Sequence, residues 1–428
     1  MAHDTPAALQ RQIIYSVYVR AHTPEGTFRS VVPDLDRIRA LGADWIWFLP
    51  IHPIGEKGKK GSLGCPYANR DYRGTNPCYG SIEDFRFLCD EIHRRGMKVM
   101  IDVVYNHTSP DAVLLSEHPE FYYRDSAGNL GNKIGDWADV IDLDYRSRGL
   151  WDYQIESLRF WASIVDGFRC DVASFVPLDF WRAARAAVAE ANPDCVWLAE
   201  SVHMSFGNYA RAGGFVSTRD TELFDAFDIE YQYDVWECFE RFLAGEGMLH
   251  EFTEQLRLQE ALYRENYNKL RFLENHDQPR FRSRIETEDE QDNFTAMLFF
   301  LKGTTLLYAG QEFSCTHLPS LFEREVIDRS GRNISPLLMR LAAIKKTALG
   351  CRDSFDARAD DEKAIAVMER RGESGLTVGV FSLRGRSGAV ALDVQDGRYA
   401  DLISGGDVLV ENGQVFCTGK PVIFTCAR

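Results

Sequence analysis

Short apolar runs rich in β-branched and aromatic residues recur along most of the chain, and longer stretches with apolar positions at helical spacing lie between them. Eight of the short runs read as strands: 13–19, 45–50, 98–104, 167–171, 196–200, 227–231, 270–273 and 304–308. The stretches 32–41, 81–95, 150–165, 177–191 and 294–301 read as helices. The clearest ends belong to 81–95, with Ser81 as N-cap, Glu83 and Asp84 in the first turn, and Gly96 just past the end. Eight strands alternating with helices predict an α/β chain folded as a (β/α)8 TIM barrel. An open doubly wound sheet gives the same alternation and stands as the alternative.

The alternation breaks twice. Residues 106–149, after the third strand, hold no long amphipathic period and are rich in Asp, Gly, Asn and Tyr. A connection that long reads as a short inserted subdomain rather than a plain loop. After about Leu349 the runs become short and strand-like, at 364–368, 376–382, 389–394, 399–401, 408–409 and 422–425, with turn pairs such as Gly405-Gly406 and Asn412-Gly413 between them. The expected organisation is a barrel from 1–105 and 150–349, an inserted B subdomain at 106–149, and a C-terminal all-β sandwich at 350–428. The C-terminal aromatics Phe381, Tyr399, Phe416 and Phe424 sit in strand-like runs and read mostly as core.

Composition narrows the picture. The chain has 428 residues, 45% hydrophobic and 26% charged, which suits a folded protein of two or three domains. A net charge of −15 argues against nucleic acid or an anionic membrane as partner. The polar stretch from Met1 to Gln12 lacks an apolar leader core, and no run reaches membrane-spanning length. Ten scattered cysteines include no Cys-x-x-Cys pair, so zinc-ribbon and thioredoxin-like readings fall away. A cytoplasmic protein is the expectation.

A barrel of this kind carries its chemistry where the strands end. The third strand ends on Asp102-Val-Val-Tyr-Asn106-His107, the fourth on Gly167-Phe-Arg169-Cys-Asp171 and the fifth on Ala199-Glu200. The seventh ends on Glu274-Asn275-His276-Asp277 and the eighth on Gly310-Gln311-Glu312. Acids buried at such positions are costly unless paired or used. Three carboxylates beside one Arg and two His fit two chemistries: glycoside hydrolysis by a carboxylate pair, or a metal-assisted hydrolase. The metal reading lacks support, because the first strand has no His-x-His and His52 stands beside Pro53 without a second ligand nearby.

These segments together resemble the α-amylase family of glycoside hydrolases. Asp102-Val-Val-Tyr-Asn106-His107, Gly167-Phe-Arg169-Cys-Asp171, Leu198-Ala-Glu200 and Phe272-Leu-Glu-Asn275-His276-Asp277 are similar to four family motifs in the family's order. Val140-Ile-Asp142-Leu-Asp144 is similar to the motif that closes the inserted subdomain. The resemblance covers nearly the whole chain. It implies a retaining mechanism with Asp171 as nucleophile, Glu200 as general acid/base and Asp277 as a third carboxylate gripping the reacting sugar. It also implies that Arg169 holds Asp171 ionised, that His107 and His276 bind sugar hydroxyls, and that Tyr67 is the aromatic platform beneath the sugar.

The expected substrate is then an α-glucan or maltooligosaccharide, cut at α-1,4 bonds. Ala68 stands where exo-acting relatives often have Asp, which tilts the expectation toward cutting within maltodextrins. A 4-α-glucanotransferase-like transglycosylase and an exo-acting α-glucosidase are the alternatives. A catalytically silent sugar-binding protein is disfavoured because all three acids are present. No cofactor is expected for the chemistry. A structural calcium ion is left open: Asn106 matches a frequent ligand, but Ser174-Phe175 replaces the Lys-His pair that often supplies another, and the inserted segment is short.

Overall fold

The computed structural model describes residues 4–135, 137–373 and 375–426. The first three residues of the polar N-terminal stretch, Asp136 of the inserted segment, and Ser374, Ala427 and Arg428 of the C-terminal region lie outside the described residues.

Eight parallel strands close into a barrel in sequential order: β1 (Ile13–Val17), β2 (Trp45–Phe48), β3 (Lys98–Val103), β4 (Gly167–Cys170), β5 (Val196–Ala199), β6 (Ile229–Tyr231), β7 (Lys269–Arg271) and β8 (Thr304–Tyr308), which pairs back to β1. The closed ring rules out the open doubly wound alternative. Nearly every strand residue is buried, as expected when one strand face looks into the barrel and the other is covered by helices. Trp45, Trp161, Trp181 and Trp197 are among the fully buried side chains between strands and helices.

The helix Ile82–Arg94 begins with the capping box that Ser81 suggested. Asp84 N–H donates to Ser81 Oγ at 3.2 Å, and Ser81 N–H donates to Asp84 Oδ2 at 3.0 Å. Gly96 follows at φ 70°, a left-handed conformation that suits glycine. Arg148–Ala162 and Leu178–Ala189 fall close to the expected bounds. The expected helix at 32–41 is α-helical only over Leu35–Ala40, after a 3-10 turn at Val32–Asp34. Glu288–Phe300 starts two turns earlier than its apolar pattern suggested. Its polar residues Glu290, Gln291 and Asn293 are themselves buried, so the stripe that would mark one face is missing.

The inserted segment contains no long helix among its described residues. Its base is a two-residue antiparallel ladder that pairs His107 with Asp142 and Thr108 with Ile141. Beyond the barrel, two four-stranded antiparallel sheets pack face to face. One is ordered β9 (Ser354–Asp360), β10 (Ile365–Gly372), β11 (Gly375–Ser382), β16 (Val422–Cys426). The other is ordered β12 (Gly388–Ala391), β15 (Gln414–Cys417), β14 (Asp407–Glu411), β13 (Gly397–Ala400). Val367, Val378, Val380 and Phe424 meet Val390, Val408, Val410 and Val415 in their shared core, the sandwich that was expected.

β9 and β15 were not expected. Each turns only Phe355 and Ala357, or Val415 and Cys417, inward, too few residues for a clear alternation. Phe381 and Phe424 are fully buried, whereas Tyr399 is half-buried on Phe424 and Phe416 is 63% exposed, so Phe416 is not core. Phe381 meets Phe300 at 5.6 Å between ring centroids, which joins this unit to the barrel. No helix among the described residues is long and apolar enough to cross a membrane.

Candidate active site

The strand register brings the acids together. Asp102 on β3 lies opposite Arg169 on β4, and both point into the barrel. Cys170, between Arg169 and Asp171, points away into the core, as strand alternation requires. Ladder-like bonds continue past the strand ends. Asp171 N–H donates to Val103 O and Glu200 N–H to Cys170 O, each at 3.0 Å, so the two acids are fixed through backbone as well as side chain.

Arg169 is the hub. Its Nη1 donates to Asp102 at 2.9 and 3.0 Å and to Asp171 Oδ1 at 2.7 Å, while Nη2 lies 2.9 Å from Glu200 Oε2. The guanidinium is fully buried among the rings of Trp47, Tyr67 and Tyr231, at 5.4, 5.7 and 5.4 Å from their centroids. A planar guanidinium fork serves the three carboxylates at once and fixes their relative geometry. Val172, next to Asp171, adopts φ 35°, a left-handed conformation that is costly for a β-branched residue. Its N–H is thereby aimed at Glu200 Oε2, at 2.7 Å.

Burial acts on these acids in different degrees. It pushes Asp171 up to about 6 although Arg169 pulls the other way. At neutral pH Asp171 is therefore mostly ionised, with Arg169 limiting the rise rather than lowering it below the ordinary range. Burial also pushes Glu200 up to about 7, again against Arg169 and with Asp171 adding to the rise. Asp277 differs. Burial works against its charge too, but the neighbouring His276 prevails and holds it below the usual carboxylate range. Its side chain is 42% exposed to the open cleft.

The neighbours are held in turn. Asn275 Oδ1 accepts from the backbone N–H of Asp277 at 2.8 Å and of Gln278 at 2.9 Å, which sets the turn that presents Asp277. His276 Nε2 lies 3.0 Å from Asp277 Oδ2 and 2.6 Å from the Tyr67 hydroxyl, and the Tyr67 and His276 rings stack. Tyr67 also donates to Asp102 Oδ2 at 2.9 Å. His107 Nε2 stands 4.0 Å from Asp171 Oδ2, and its Nδ1 faces the Asn106 amide nitrogen at 3.2 Å. Burial keeps His107 neutral by lowering its pKa.

A cavity of about 270 Å³ opens over this group, and Tyr67, His107, Asp171, Glu200 and Asp277 all line it. Arg169 lies beneath them. Other walls were not foreseen from the sequence: Lys60, Cys65, Trp137, Asp139, Leu321 and Phe322. Lys60 and Asp139 form an ion pair of 2.8 Å across two loops, and Leu63 N–H donates to Phe322 O at 3.0 Å. The loop after β2 is thus fastened to both the inserted segment and the loop after β8.

The other strand-end acids are spent on structure. Glu274 pairs with Arg280 at 2.7 Å and accepts from Phe281 N–H, and Glu312 pairs with Arg37 and the Tyr15 hydroxyl, each at 2.6 Å. His52 faces Gly74 O at 3.0 Å and packs edge-on against Trp161, away from any second ligand. All ten cysteines are free thiols.

Comparison with known proteins agrees with this arrangement. The family model described as the α-amylase catalytic domain matches residues 10–137 and 123–363, and that of the bacterial α-amylase C-terminal domain matches 356–424. An α-amylase from Lactobacillus plantarum is 43% identical, with 99% of this chain and 100% of that one covered and a TM-score of 0.95. A maltogenic α-amylase from Thermotoga neapolitana is 31% identical over 98% of this chain and 99% of that one, with a TM-score of 0.87. Among curated proteins, the α-amylase MalA of Haloarcula japonica is 25% identical over 97% of this chain, which spans 63% of that protein's length.

Proposed function

Because the chain belongs to the α-amylase family of glycoside hydrolases, we propose that it hydrolyses α-glucosidic bonds, foremost the α-1,4 bonds of maltodextrin-type glucans, with retention of configuration. The observation that carries this reading is the single Arg169 fork shared by Asp171 and Glu200, around which burial raises both acids and leaves Glu200, at about 7, the more readily protonated of the two. Two carboxyl groups kept in different protonation states by their surroundings are what a retaining glycosidase needs.

In the proposed reaction an Asp171 oxygen attacks the anomeric carbon while Glu200 gives its proton to the glycosidic oxygen. The C–O bond to the leaving chain breaks, the chain departs as an alcohol, and a β-glycosyl ester on Asp171 remains. Glu200, now ionised, takes a proton from water as that water attacks the same carbon. The ester breaks, Asp171 is released as carboxylate, and the sugar leaves as the α-anomer. In this reading Asp277, on the cavity wall, grips sugar hydroxyls with His276 bonded behind it at 3.0 Å, and Tyr67 offers its ring as a platform. Such contacts accelerate the reaction to the extent that they tighten as charge builds on the sugar.

The α-amylases of Lactobacillus plantarum and Thermotoga neapolitana support α-glucan as the substrate class. A second reading, cleavage from chain ends, is favoured by the fastening of the loops after β2 and β8 and the inserted segment along one wall of the cavity. A sugar acceptor in place of water would make the same intermediate a transferase. Product analysis on maltoheptaose tests all three. A spread of shorter oligosaccharides supports internal hydrolysis, a single small product supports chain-end action, and longer products support transfer. No turnover of any maltooligosaccharide would overturn the proposal.

A further inference from the structure

The resemblance raises a structural calcium ion at Asn106, and the surroundings of Asn106 decide whether one fits. Calcium takes about six to eight oxygen ligands at roughly 2.3–2.6 Å. Here the oxygen that would bind it is already engaged. Lys133 Nζ donates to Asn106 Oδ1 at 3.3 Å and to Leu143 O at 3.1 Å. The buried Asp142 is also taken: Oδ2 accepts from Lys133 N–H at 2.7 Å, and Oδ1 lies 3.3 Å from the Asn106 amide nitrogen and 3.5 Å from that of Asn132.

At Ser174-Phe175 the Ser174 carbonyl is engaged as well. Ser174 O accepts from Thr218 N–H at 2.8 Å, and the Phe175 side chain packs with Ile134 and Ala210. Among the described residues, no group of three or more His, Cys, Asp and Glu side chains is placed to hold a metal. A divalent ion here would have to share two oxygens with an ammonium group, against like-charge repulsion. The residues do not fit calcium.

We propose that Lys133 is a built-in cation that clamps the inserted segment to the exit of β3, in the role a divalent ion would otherwise fill. The positions support this. Asn106 lies just past β3, Lys133 belongs to the return limb of the insertion, and Leu143 closes it. Between them runs the two-residue ladder at the base of the insertion, His107–Thr108 against Ile141–Asp142. One amino group therefore bridges both limbs; burial pulls its pKa below the ordinary lysine value, and the carboxylates of Asp142 and Asp144 offset part of that cost and favour the charge. A cation carried by the chain is not lost to a chelator.

Calcium chloride and EDTA are the probes, applied first to the wild-type protein. The melting temperature is expected to stay unchanged in excess EDTA and in millimolar calcium, and calorimetric titration with calcium should give no binding heat. A fall in melting temperature in EDTA, or a stoichiometric calcium heat, overturns the proposal. Lys133→Met keeps the long stem and removes the charge. It should lower the melting temperature by several degrees, and the amides of residues 107–108 and 141–143 should exchange hydrogen about tenfold faster or more, with the barrel strands unchanged. Wild-type melting and exchange in that variant would also overturn it. If Lys133→Met does not fold, the wild-type titrations decide alone.

Discussion

Asp102 takes no direct part in the proposed chemistry, yet replacing it should move the pH at which the enzyme switches on. Its carboxylate accepts from Arg169 Nη1 at 2.9 Å, and the same nitrogen donates to Asp171 Oδ1 at 2.7 Å. At about 5.6 Å, the largest separation those two bonds allow, two unit charges in an effective dielectric of about 20 repel by about 3 kcal/mol, or about 2 pH units. Burial holds Asp102 itself up at about 6, so it carries only part of its charge where Asp171 titrates. The expected effect is correspondingly about 1–2 pH units.

Asp102→Asn keeps the shape and an oxygen for Arg169 but removes the charge that raises Asp171. With that repulsion gone, Asp171 ionises at lower pH, and the acid limb of kcat/KM moves down. The plateau should fall, since the new amide hydrogens face the donors Arg169 and Tyr67. The assay is kcat/KM for a maltooligosaccharide across the pH range, which reports groups of the free enzyme. An acid limb that stays in place or moves up refutes the reasoning.

Other expectations follow from the same geometry. In the wild type, kcat/KM should rise through about pH 6 as Asp171 ionises and fall through about pH 7 as Glu200 loses its proton, and a pH profile without the alkaline fall would remove Glu200 as the acid. Glu200→Gln should slow cleavage of maltooligosaccharides by about 10²–10⁴-fold, and much less for aryl maltosides whose leaving group needs no proton; equal losses on both would contradict the role. Phe381→Ala should open a cavity against Phe300 and cost about 3–5 kcal/mol, read by calorimetry as a lower melting temperature, and unchanged melting would show that the sandwich does not support the barrel.

The barrel was legible because parallel strands buried on both faces read as short, largely apolar runs, and all eight strands overlap the runs read from the sequence, although Arg169, Glu230, Lys269 and Arg271 interrupt β4, β6 and β7. Glu288–Phe300 was only half legible, since Asn293 is buried by bonds to Gly419 O and Ser382 N–H, partners more than eighty residues away that leave no local trace. The same limit governs the acids. Glu274 and Glu312 look like Asp277 in the sequence, each at a strand end, and differ in being paired with Arg280, six positions on, and with Arg37, 275 positions away. Trp47 and Tyr231, which enclose Arg169, sit inside strands and could not be told from core. Lys60 and Asp139 meet across 79 positions, and Lys133 belongs to a stretch without any period. The motif residues were readable because short strands carry them to one end of one barrel; the walls around them come from loops whose contacts only folding creates.

The central claim is that Asp171 forms a covalent bond to the sugar. Incubation with a fluorinated α-glucosyl donor that slows release of the ester, followed by peptide mass spectrometry, tests it most directly. The account predicts one added glycosyl group, on the peptide that contains Asp171, lost again when a maltooligosaccharide acceptor is supplied. Labelling of another acid instead of Asp171, or turnover of the donor with no adduct and with the β-anomer as first product, would contradict it.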